Sequence, residues 1–78
     1  SDEYKVLLKK WQDNTAEIEK AIKKLEGLSA QANADQKEEI ANKVKSYKEG
    51  FLVTERDPEL GEIKKEIEYW NEAFAEEE

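Results

Sequence analysis

In the first third of the chain, Tyr4, Leu8, Trp11, Thr15, Ile18, Ile22 and Leu25 follow one another in alternating steps of four and three. That spacing places their side chains on one face of an α-helix. Ser1 is placed to cap this helix, and Asp2 and Glu3 suit its positive end. The spacing predicts a helix over about 2–26, stopped at Gly27 by a left-handed glycine, with Leu28 folding back on the last turn. A second stripe runs through Ala30, Ala34, Lys37, Ile40, Val44 and Tyr47. It predicts a helix over about 30–49, capped by Ser29 in preference to Asn33 with Gln36, and ended by Gly50. A third stripe, Leu60, Ile63, Ile67, Trp70 and Phe74, predicts a helix over about 58–76. Asp57, Pro58 and Glu59 are its start signal, as cap, first helical residue and dipole partner. Residues 50–57 form the longer connection. Gly61 lies inside the third helix and weakens it by about 1 kcal/mol relative to alanine.

Three helices with one apolar stripe each can bury those stripes only against one another. The expected fold is all-α, a single-domain antiparallel up-down-up three-helix bundle over 1–78. In that arrangement Leu25, Leu28, Ala30, Ala34, Trp70 and Phe74 share one end, and Tyr4, Leu8, Tyr47, Phe51 and Leu60 the other, with Trp11, Val44 and Ile63 between. Trp70 and Phe74 are expected to lie over Ala30 and Ala34, so that Ala34→Leu overpacks the core by about 1–3 kcal/mol. Val6 and Leu7 are expected to widen the core stripe, the alternative being an exposed apolar patch beside Tyr4 that serves partner binding. Thr15 is expected to bond a carbonyl one turn back.

Composition narrows the function classes. The 78 residues contain no cysteine and no histidine, and methionine is also absent. A thiolate nucleophile, an imidazole base and sulfur- or histidine-ligated metal are therefore excluded. Joint absence of the three residue types is unusual, about one natural chain in a hundred of this size, which points to a designed or engineered protein. The longest apolar runs, Val6-Leu7-Leu8 and Phe51-Leu52-Val53, are three residues, against the ~20 needed to span a bilayer. The acidic start Ser1-Asp2-Glu3 is expected to carry no signal peptide.

Net charge is −7, which argues against nucleic acid as a partner. Residues 1–29 carry six acids and six bases, residues 30–49 four of each, and residues 50–78 ten acids against Arg56, Lys64 and Lys65. The excess sits in the last third, where it reads as a solvated face. Carboxylates cluster at Glu59, Glu62 and Glu66, at Glu38 and Glu39, and at Glu68 and Glu72. All fall on expected solvent faces, where nothing shifts them toward acid–base work. No catalytic, cofactor-binding or metal-binding residue is therefore assigned.

The expected function is non-enzymatic: a soluble scaffold or protein-binding module presenting a helical face. Alternatives are a natural interaction domain excised from a larger protein, or a self-associating bundle. A monomer is the expected state, with a homodimer as the alternative and another protein as the partner class. Neither membrane nor cofactor is expected. The candidate partner contacts are the apolar run Phe51, Leu52 and Val53, and Tyr69 beside the core stripe.

Overall fold

A computed structural model describes residues 1–49 and 57–77. Among these residues three α-helices make the fold: α1 (Asp2–Leu28), α2 (Ala34–Glu49) and α3 (Asp57–Glu77). A single 3-10 turn, Ser29–Gln31, follows α1. There is no strand among the described residues.

The start of α1 follows the local chemistry. The Tyr4 amide donates to Ser1 Oγ at 3.3 Å, and Asp2 and Glu3 occupy the first turn. Its end differs from expectation. The helix runs through Gly27 to Leu28, and no described glycine has a positive φ. Glycine permits the left-handed stop without requiring it. Leu28 and Ala32 pack against the core, and this burial favours carrying the chain on by one tight turn.

Ser29 does not begin α2. It stays right-handed at φ −58° and ψ −23°, and the break falls at Ala32, extended at φ −90° and ψ 148°. Asn33 then caps α2. Its Oδ1 accepts from the Gln36 amide, and Gln36 Oε1 accepts from the Asn33 amide, both at 2.9 Å. This reciprocal pair satisfies two orphan donors at once, whereas a lone serine satisfies one. Asn33→Ala is expected to cost about 1 kcal/mol and Ser29→Ala under about 0.5 kcal/mol in chemical denaturation. Equal costs would remove the capping role.

The relative directions of the helices are set by a few contacts. Gln36, one turn into α2, donates from Nε2 to Glu77 Oε1 at the end of α3, at 2.8 Å. At the other end of α2, Tyr47 lies in the field of Glu66, Glu62 and Glu59 from the first half of α3. α2 and α3 are therefore antiparallel. The short connection 29–33 turns α2 back along α1, and the topology is up-down-up. On the α2 side, Lys48 Nζ meets Glu26 Oε1 of α1 at 3.6 Å. Both groups are half exposed, so this pair adds under about 1 kcal/mol.

The core holds Ile18, Ala21, Ile22 and Leu25 of α1, Ile40, Val44 and Tyr47 of α2, and Ile63, Ile67, Trp70 and Phe74 of α3. Trp70 stacks on Phe74 with ring centres 5.6 Å apart. Its indole N–H donates to Glu66 Oε1 at 3.1 Å, so the buried ring leaves no donor unsatisfied. Ala30 and Ala34 are exposed and do not lie under the two rings. Ala32 packs against the core at that end in their place, because starting α2 at Asn33 rotates Ala30 and Ala34 out of the stripe. Ala34→Leu therefore adds its side chain at an exposed position and does not overpack the core.

Gly61 has open space where a Cβ would stand, with nothing within 4 Å. Gly61→Ala is expected to stabilise the protein by about 1 kcal/mol, or about 4–8 °C in Tm. An unchanged or lower Tm would mean that the glycine has a role the backbone does not reveal.

Candidate functional site

α1 has 27 residues and α2 has 16. At ~1.5 Å rise per residue, that is about 40 Å against about 24 Å. The longest dimension of the molecule is 53 Å, against 20 and 16 Å in the other two. The excess length of α1 projects at its N-terminal end. The buried part of α1 begins at Ile18, and every residue from Ser1 to Asp13 is exposed.

This exposed half carries the apolar stripe. Leu7 is 67% exposed and Trp11 47%, and Tyr4, Val6 and Leu8 are exposed as well. Tyr4, Leu8 and Trp11 are therefore not core residues, and Leu7 with Val6 does not widen a buried seam. Tyr4, Trp11, Ile18 and Leu25 lie seven residues apart in one line, flanked by Leu7, Ala21 and Leu28 on one side and Leu8, Thr15 and Ile22 on the other. One continuous stripe is thus covered below Thr15 and open above it. At the boundary, Thr15 and Asn14 are half-buried. Thr15 Oγ1 donates to the Trp11 carbonyl at 2.9 Å, as its place in the helix led us to expect.

The other candidates are dispersed. Tyr69 is 57% exposed on α3 and sets its ring edge-on to Trp70 at 5.0 Å and 85°. Phe51, Leu52 and Val53 lie outside the described residues, as does Gly50. Glu38, Glu39, Glu62, Glu68 and Glu72 are exposed, and Glu59 and Glu66 half-buried. Among the described residues, no cluster of acidic side chains is placed to hold a metal ion. No described helix is long and apolar enough to cross a membrane.

Tyr47 has a displaced titration. Burial pushes its phenol above the ordinary value of 10.0, and Glu66, Glu62 and Glu59 add to the shift in that order. The folded state therefore holds this proton more tightly than the unfolded chain. Its stabilising effect is complete below about pH 10 and is lost as pH rises through the folded pKa. Alkaline unfolding of the parent should thus be steeper than that of Tyr47→Phe when the two are normalised at pH 8. Parallel curves above pH 10 would contradict the linkage.

Periodicity alone could not separate the two halves of the α1 stripe, since both have the same spacing. The signal that could have done so was the mismatch in helix length. No protein-family model matches the chain, and no curated protein or solved structure matches it.

Proposed function

We propose that this chain is a non-enzymatic protein-binding module that presents the outer half of α1 to its partner. The observation that carries this reading is the exposed line of Tyr4, Leu7, Leu8 and Trp11 in the same helical phase as the core. Contiguous exposed apolar surface of this kind is where proteins meet partners. Tyrosine and tryptophan add rigid contact area at small entropic cost. Two anchors one or two turns apart are also how a helix is read by an apolar groove or another helix. The absence of cysteine, methionine and histidine supports a designed or engineered origin for such a module.

The test is a screen against a displayed protein library with the parent, with Leu7→Lys/Trp11→Lys and with Tyr69→Lys. Partners recovered by the parent should be lost to the double variant and kept by Tyr69→Lys. Equal recovery by the double variant overturns the proposal.

A further inference from the structure

We infer that the partner of this face is a second copy of the chain, lying antiparallel along the outer half of α1 so that Glu3 of each copy meets Lys10 of the other. The inference rests on the binding-module reading above and supplies its occupant. Its basis is charge complementarity around the stripe. Glu3 and Lys10 are seven residues apart, two turns and about 10.5 Å along the helix. At 100° per residue both fall on the same shoulder of the apolar line, beside Leu7.

In an antiparallel pair this shoulder faces its own copy. Aligning Glu3 with the other copy's Lys10 forms two identical ion pairs around a two-fold axis. The same alignment sets each Tyr4 opposite the other copy's Leu7 and Leu8, and brings each Trp11 to the other copy's first turn. A parallel pair gains none of this. It sets the Glu3 shoulder against Leu8 and Lys10 against Thr15, and brings two positive helix ends together. Sliding the antiparallel pair by one heptad sets Lys10 against Lys10 and Glu3 against Glu17, so like charges reject that register. Asp2, Lys5 and Lys9 lie away from this shoulder and do not select a register.

The area sets the strength. Four partly exposed apolar side chains offer on the order of 300–400 Å² per copy, below the ~800 Å² per partner of a stable dimer. The association is therefore weak, with Kd on the order of 100 µM, and it loosens as salt screens the ion pairs.

Sedimentation equilibrium from about 10 µM to 1 mM tests it, with circular dichroism confirming that each variant is helical. The parent mass should rise from 9.1 kDa toward that of two chains. Leu7→Lys should abolish the rise, since the covered core begins only at Ile18 and the variant folds. Lys10→Glu and Glu3→Lys should each weaken association about tenfold at low salt. Their equimolar mixture should restore it, because each variant then meets the opposite charge. A parent that stays monomeric at 1 mM overturns the proposal, as does a dimer indifferent to Leu7→Lys or a mixture that fails to recover. A monomeric parent whose screened partners are lost with Leu7→Lys/Trp11→Lys removes the second copy and leaves the binding-module reading standing.

Discussion

Trp70→Ala should destabilise the protein by about 3–5 kcal/mol, seen as a lower urea midpoint with an unchanged slope. The indole is 2% exposed and stacks on Phe74. Its removal opens a cavity between α3 and the other two helices that backbone relaxation cannot close. It also takes the hydrogen bond from Glu66, leaving that carboxylate half-buried without its donor. A domain of this size holds about 4–12 kcal/mol in total, so the variant sits at the edge of folding at room temperature. Tyr69→Ala, one residue away and largely exposed, should change stability by less than about 0.5 kcal/mol. A Trp70→Ala loss below 1 kcal/mol would mean that the ring does not seal the core.

Within α1, Leu25→Ala should cost about 2–5 kcal/mol and Leu7→Ala under about 0.5 kcal/mol. Both leucines lie on the same stripe of the same helix. Leu25 is fully enclosed by the core, and Leu7 is exposed. The contrast isolates burial from helix propensity, because the two substitutions have the same intrinsic effect on helix formation. Comparable costs for the two would show that the outer half of α1 is covered in solution. Measured at low and high protein concentration, the pair also reads the proposed self-association: Leu7→Ala then costs more in the concentrated sample, where the dimer stabilises the parent by mass action.

The candidate site was only partly legible. Tyr4, Leu7, Leu8 and Trp11 share the spacing of the core residues, so by periodicity they read first as core. Tyr69 lies off the stripe by its phase alone, since Trp70 beside it fixes which way α3 faces. For the second helix start, Ser29 after a glycine and a leucine is a good local signal. The reciprocal Asn33–Gln36 pair outweighed it through one more satisfied donor.

By itself, the sequence determined that there are three helices, the order in which they come, and most of the residues they bury from Ile18 onward. These are properties of short-range spacing, which a three- and four-residue repeat specifies without reference to the rest of the chain. The tertiary structure decided which stretch of an unbroken stripe is covered. That depends on how far α2 and α3 reach alongside α1, and so on where α2 starts and how the Gln36–Glu77 contact sets α3 against it. Burial is a relation between helices, and a single helix's periodicity carries only half of it.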